Sequence, residues 1–261
     1  MLNRSGVDFP ASIQITSLRL NFYGVFIAIG VISAAYYIEQ QLAQSSIYHK
    51  LQVWEQLPWI LLVAISGARL FHVISDWRIY QADPINAFSL WDGGLSFFGG
   101  ILFGLLYIVW LLRSRKLPLI PLLAVIVVYI PLGQIIGRYG NFLNQELYGG
   151  PTQLPWAIDV GKVDLVHPTF MYEQLLNLIL MCVVWYFYSK IKSIRSISQR
   201  FHGLVVIGTY LTGYAIVRLV SEQFRLDPDW LGIFSFGEVM AIILLLLGTG
   251  VLIISRYYQH D

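Results

Sequence analysis

Charge is what this chain has least of. Among 261 residues, Lys, Arg, Asp and Glu together make up 12%, against 57% hydrophobic residues. Water-exposed domains carry about 25% charge, so a soluble globule of this size is excluded because it has too few charges to cover its surface. The net charge is only +2, which argues against nucleic acid as a partner. Cysteine is almost absent too. The single Cys182 excludes a disulfide framework, a cysteine-based metal site and an intramolecular CxxC pair. It lies mid-window between Met181 and Val183 and reads as a buried small apolar residue. No His–carboxylate pair has metal-ligand spacing, so no metal is expected. His49, His202 and His260 fall in or beside loops and read as solvated.

What is abundant is apolar sequence. Seven windows stand out, 21–38, 57–74, 95–112, 119–136, 169–188, 204–220 and 236–254. At about 20 residues per span, seven helices absorb roughly 140 residues. The expected fold is therefore an all-α integral membrane protein. It is a polytopic helical bundle of about seven transmembrane helices, with residues 1–261 forming one domain. The first window follows about twenty mixed polar residues and precedes no small-residue cleavage pattern, so it reads as a retained helix rather than a signal peptide. The longest connection, 139–168, holds Gly149, Gly150, Pro151 and Pro155 and predicts a small surface or re-entrant element between helices four and five.

Orientation follows from the basic residues of the connections. Nine lie on one side (Lys50, Arg113, Arg115, Lys116, Lys190, Lys192, Arg195, Arg200, Arg256), and six on the other (Arg4, Arg19, Arg78, Arg138, Lys162, Arg225). The compact basic clusters all fall on the first side, which predicts an external N-terminus and a cytoplasmic C-terminus and makes the element between helices four and five periplasmic. Two arginines remain, Arg69 and Arg218, both inside apolar windows. An arginine in a span costs about 2.5–3.5 kcal/mol on insertion scales, so it is paired or lines a cavity.

Tyr214, Arg218 and Glu222 are spaced four apart, with Arg225 three further on. This puts a polar stripe on one helical face that rises about 12 Å from Tyr214 to Glu222. It reads either as a neutralised pair that lets the helix insert or as the lining of a site for an anionic headgroup. Arg69, beside His72, reads equally as a structural tie to a nearby carbonyl or carboxylate. Gly137 through Gly149 brings together Arg138, Asn141, Asn144 and Glu146, donors and an acceptor suited to a phosphate and hydroxyls. Trp91–Gly100 holds two glycine pairs, which serve close helix packing or expose helix N-terminal amides. His167–Glu173 opens the fifth window, and Glu173 inside a span needs a partner. The seventh window has no lysine, which removes a retinal Schiff base.

These segments, in this order, resemble the prolipoprotein diacylglyceryl transferase family over nearly the whole chain. The signature G-R-x-G-N-F-x-N-x-E-x-x-G runs from Gly137 to Gly149 without a gap. Trp91-Asp92-Gly93-Gly94-Leu95-Ser96-Phe97, His167-Pro168 with Tyr172-Glu173, Tyr214 with Arg218, Glu222, Arg225 and Pro228-Asp229, and Tyr23-Gly24 agree as well.

The resemblance implies a bacterial inner-membrane enzyme that moves the diacylglyceryl group of phosphatidylglycerol to the lipobox cysteine of a prolipoprotein signal peptide, releasing glycerol 1-phosphate. It implies no cofactor. Carried over, Arg138 binds phosphatidylglycerol, and Arg218, Tyr214 and Glu222 join it as catalytic residues. Tyr23, Asn141, Asn144, Glu146 and Gly149 hold substrate. One position departs from the pattern. Where the family reads G-G-x-S-x-H-G-G, with a histidine credited with activating the thiol, this chain has Phe98, which takes no proton. That departure leaves open a weak or inactive relative that binds phosphatidylglycerol or lipoprotein precursors. A small polytopic transporter is a third reading, although no internal repeat supports it. Gly94-Leu95-Ser96-Phe97 would suit an intramembrane serine protease, but no later helix offers a partner histidine.

Overall fold

The computed structural model describes residues 12–15, 18–43, 51–90, 93–144, 146–160, 165–190, 198–226, 230–231 and 233–257. Trp91, Asp92, Pro228 and Asp229, together with Lys50, Lys162, Lys192, Arg195, His49 and His260 of the sequence reading, lie outside the described residues. Seven helices are long and apolar enough to cross a membrane. They are α1 (Phe22–Ala43), α2 (Val53–Ser75), α3 (Phe97–Ser114), α4 (Leu119–Leu143), α5 (Thr169–Tyr188), α6 (Ser198–Glu222) and α7 (Phe236–Tyr257). Large apolar side chains remain uncovered along them, among them Ile74, Leu106, Ile179 and Leu246. Water does not tolerate that pattern over seven spans, whereas lipid requires it. The chain is a multi-pass, all-helical membrane protein.

The strands are minor. An antiparallel hairpin, β1 (Ser12–Ile15) with β2 (Leu18–Asn21), leads into α1, and a second, β3 (Trp230–Leu231) with β4 (Phe234–Ser235), leads into α7.

The chain divides into two compact units, residues 1–37 with 120–261 and residues 38–119. In the smaller one α2 packs on α3 through small residues. A Cβ placed on Gly99 would lie 2.5 Å from the Gly67 carbonyl oxygen and 2.5 Å from the Phe71 Cβ, so the second glycine pair serves close helix packing. The Ser96 hydroxyl accepts from the Gly99 N–H at 3.5 Å and caps α3, a task in which it serves the backbone and not a reaction.

Ahead of that cap the chain turns through Gly93 and Gly94, at φ 82° and 70°. Arg69, buried within α2, settles as the structural tie. Its guanidinium donates to the carbonyls of Asn86 (2.6 Å), Ala87 (2.8 Å), Gly93 (2.6 Å) and Gly94 (3.0 Å) and lies over the Tyr80 ring. Beside it, His72 Nδ1 lies 3.2 Å from Asp76 Oδ2. The C-terminus of α3 closes with two reverse bonds, Lys116 N–H to Arg113 O (3.0 Å) and Leu117 N–H to Leu112 O (2.8 Å). Lys116 sits at φ 53°, in the left-handed position that such a cap usually gives to glycine.

In the larger unit α6 packs along α7 and against α5. Gly208 of α6 faces Leu252 and Gly248 of α7. Helix α4 does not stop at residue 136, as the apolar window does. It continues to Leu143, so Arg138 and Asn141 project from helical turns rather than from a loop.

Beyond it, residues 146–160 and 165–168 form a small element of backbone bridges. Thr152 N–H donates to Leu165 O at 2.8 Å, and Ile158 and Val166 exchange both of their bonds. Two expectations are corrected here. Cys182 is exposed on the outer face of α5, because its neighbours Val183 and Trp185 share the outward side while Val184 turns inward. His202 lies within α6, half-buried, edge-on to Phe201.

Candidate active site

The larger unit gathers its buried charges near one end of α4, α5 and α6. Arg138 stands five residues from the end of α4, Glu173 four residues into α5, and Arg218 four residues from the end of α6. Glu173, 4% exposed, pairs through Oε2 with Arg138 Nη2 and through Oε1 with Arg218 Nη1 at 3.4 Å. Arg218 Nη2 in turn donates to Glu222 Oε2 at 2.7 Å, and Arg225 Nη1 reaches the same oxygen at 3.3 Å. The result is one chain, Arg138–Glu173–Arg218–Glu222–Arg225, with three guanidiniums to two carboxylates.

The remaining lone pairs are engaged as well. Glu222 Oε1 accepts from the Ser235 hydroxyl at 2.9 Å, while Glu238 of α7 accepts from the Ser235 N–H at 2.9 Å and from Gln223 Nε2 at 3.2 Å. A Cβ on Gly237 would lie 2.4 Å from the Glu222 carboxylate, so that glycine is what lets α7 approach the acid. Arg225 lies past the end of α6, in a turn that bridges to Gly149. It therefore folds back to Glu222 instead of extending the helical stripe.

On the α4 side the signature residues form a second arm. Arg138 Nη1 donates to Asn141 Oδ1 at 3.2 Å, and Asn141 Nδ2 donates to Glu146 Oε1 at 2.9 Å. Asn144 Nδ2 reaches the same oxygen at 3.5 Å. The Tyr23 side chain from the start of α1 hydrogen-bonds Asn141, its ring pressed onto Gly140. Tyr214, one turn before Arg218, lies within the fields of Arg218, Arg138 and Glu173. The structure thus brings together Tyr23, Arg138, Asn141, Asn144, Glu146, Tyr214, Arg218 and Glu222.

Gly149 meets this site through the backbone of the turn at Arg225. Its Cα lies against the Phe224 carbonyl and the His167 side chain, and a Cβ there would come within 2.5 Å of that carbonyl. Next to it His167 Nδ1 is 3.0 Å from the Tyr172 hydroxyl, which also accepts from Trp156 Nε1 at 2.8 Å.

Glu173, Ser235, Gly237 and Glu238 belong to this constellation although no role had been read for them from the sequence. Only Glu173 left a signal, as an acid inside a span. Chemically, two guanidiniums fixed by a shared carboxylate offer rigid, bidentate donors to a phosphate.

Known proteins resemble this chain over most of its length. A model of the family described as prolipoprotein diacylglyceryl transferase matches residues 10–254. The chain is 31% identical over 256 residues to the phosphatidylglycerol–prolipoprotein diacylglyceryl transferase of Parasynechococcus marenigrum, an alignment covering 92% of this chain and 91% of that one. It is 31% identical over 236 residues to the enzyme of the same name from Finegoldia magna, covering 90% and 91%. With the one from Nitratidesulfovibrio vulgaris it shares 32% identity over 257 residues, covering 95% and 93%. All three bear a transferase's name and lend no support to an inactive lipid binder or a transporter.

Proposed function

The chain belongs to the prolipoprotein diacylglyceryl transferase family, and from that premise we propose that it transfers the diacylglyceryl group of phosphatidylglycerol to the lipobox cysteine of prolipoproteins. The observation that carries this reading is the pair of guanidiniums, Arg138 and Arg218, held by one buried glutamate inside apolar helices. The sulfur, its proton released to water, attacks as thiolate the carbon of the acylated glycerol that bears the phosphate. A carbon–sulfur bond forms, the carbon–oxygen bond breaks, and glycerol 1-phosphate leaves with the electron pair. Negative charge therefore grows on the phosphate oxygens, where fixed guanidiniums stabilise the transition state more than the ground state.

Arg138 and Arg218 are the catalytic pair in this reading, with Tyr214 beside them and Glu222 holding Arg218 in register. Tyr23, Asn141, Asn144 and Glu146 frame the headgroup, and Gly149 keeps the small element against the turn at Phe224. A cysteine thiol has an ordinary pKa of about 8.5, so its ionisation needs little help, and Phe98 takes no part in it. Residues 1–261 act as one integral domain in the bacterial inner membrane, N-terminus outside and C-terminus cytoplasmic. Lipid substrate and lipidated product both pass laterally between helices and the bilayer.

The test is the reaction itself, with purified protein in detergent, phosphatidylglycerol and a synthetic lipobox peptide. Mass spectrometry is expected to find the diacylglyceryl thioether, and a coupled assay the released glycerol phosphate. Arg138→Ala and Arg218→Ala are each expected to lower turnover by at least about a hundredfold, the scale of losing one key electrostatic group. Near-normal rates in either variant remove that arginine from the mechanism.

A further inference from the structure

One helical turn inward from the guanidiniums lies a second layer of polar groups, of which Gln134 and Asn177 have no role in the phosphate chemistry. Four residues back from Arg138 along α4 is Gln134. Four residues on from Glu173 along α5 is Asn177, and four back from Arg218 along α6 is Tyr214, stacked on Tyr210 with 5.8 Å between ring centroids. Each step is about 6 Å along its helix and leads from the helix end toward the middle of the span.

The three positions lie at one level of the helices. Gln134 Nε2 donates to the Tyr210 hydroxyl at 3.0 Å, linking α4 to α6. Gln174 Nε2 donates to the Ile135 carbonyl at 3.0 Å, so this turn of α5 lies on the turn of α4 that carries Gln134. On the α6 side Glu173 meets Arg218, and Leu180 covers Gly213. Asn177, between Glu173 and Leu180, is therefore level with Tyr214 and Ala215.

Asn177 is 1% exposed, yet among the described residues neither its Oδ1 nor its Nδ2 has a partner, and Gln134 Oε1 has none either. Mid-span, where no water competes, an unpartnered amide is strongly unfavourable. A leucine would fill Asn177's place without that cost. Packing alone does not account for an amide here.

Resting on the function proposed above, we infer that this inner layer receives the ester linkages of the diacylglyceryl group, with the carboxamides of Asn177 and Gln134 donating to the ester carbonyls. Ester carbonyls accept and never donate, and a carboxamide carries two N–H donors. The Tyr210 hydroxyl donates as readily as it accepts, so it can serve Gln134 Oε1 and free that residue's NH₂ group. The esters branch from the glycerol a few covalent bonds from the phosphorus, in keeping with one turn of helix. The acyl chains then continue into the apolar middle of the span. Asn177 and Gln134 thereby distinguish ester-linked from ether-linked glycerolipids, which share the phosphate and lack the carbonyls.

The experiment compares diacyl phosphatidylglycerol with its dialkyl ether counterpart of equal chain length, using the full-length protein in detergent. Thioether formation and retention of each lipid in native mass spectrometry are both measured. The wild type is expected to prefer the ester lipid by about tenfold in kcat/KM and in retention, the scale of one or two neutral hydrogen bonds. Asn177→Leu is expected to erase the preference by lowering use of the ester lipid, and Gln134→Leu, a second variant at a separate helix, to reduce it. Arg138→Ala lowers both lipids alike. Equal use and equal retention of the two lipids by the wild type overturn the inference, as does an undiminished preference in both leucine variants. If the wild type retains ester over ether lipid but forms no thioether, the transferase reading fails and the ester site stands.

Discussion

Glu173 shows how much one side chain organises. It neutralises Arg138 with one oxygen and Arg218 with the other, so the two guanidiniums, which would repel each other, are held at a common spacing. Removing its charge takes from the two guanidiniums the carboxylate they share. Glu173→Gln is therefore expected to lower kcat by at least about tenfold as the donors lose alignment, without raising KM for phosphatidylglycerol, because the anion meets more positive charge. Steady-state kinetics with varied lipid check this, and a raised KM at unchanged kcat contradicts a positioning role.

The sequence marked Glu173 as an acid in need of a partner but could not name one. Arg218 lies 45 residues away, and pairing across helices leaves no local trace. Arg69 was equally ambiguous. Its partners are four backbone carbonyls of the chain between Asn86 and Gly94, and a carbonyl is carried by every residue type. Arg218 with Glu222 was legible, because helical spacing brings side chains four positions apart together, whereas Arg138 with Asn141 was not, since the apolar window ends at residue 136 and the helix does not.

Among elements, the seven helices follow directly from the apolar windows, and their ends do not. Hydropathy reports what lipid accepts, whereas a helix continues wherever its backbone bonds are made and its polar side chains find partners. Helix α4 runs seven residues beyond its window, to Leu143, because Arg138 and Asn141 are satisfied by Glu173 and Glu146. Helix α3 ends in a left-handed residue that is not glycine. Holding Lys116 there costs roughly 1 kcal/mol, while the two reverse hydrogen bonds it permits stay intact in glycine. Lys116→Gly is expected to stabilise the protein by about that amount. Thermal unfolding in detergent reads it as a raised Tm, and a fall would mean that the lysine side chain contributes more than its backbone costs.

At the scale of the whole molecule, the outward surface of the helices is apolar and the inward one is selectively polar. Helix α5 displays both. Val184 is fully buried, while Ile179 is 61% exposed and Cys182 shares its outward side. Cys182→Phe is expected to change neither Tm nor turnover, since lipid yields to the added ring. Val184→Phe overpacks the interior and is expected to lower stability by about 1–3 kcal/mol. Unfolding curves for the pair decide whether α5 is turned as described. The orientation proposed above is tested by reporter fusions at Tyr257 and at the connection after α4. An external signal from the former and a cytoplasmic one from the latter would reverse it.

The alternation of Arg138, Glu173, Arg218 and Glu222 also sets a timetable for biosynthesis. A ribosome delivers these residues in chain order, so the fourth helix reaches the membrane bearing a cation whose counter-charge is still to be made. Alone, that arginine opposes release into lipid, by less than the roughly 2.5–3.5 kcal/mol of a mid-span position because it lies near a helix end. The fifth helix brings the carboxylate that cancels the penalty, then the sixth brings a cation and an anion together. The fourth and fifth helices are thus suited to leave the translocon as a pair, and the charges proposed to serve the reaction also favour that order of entry into the bilayer.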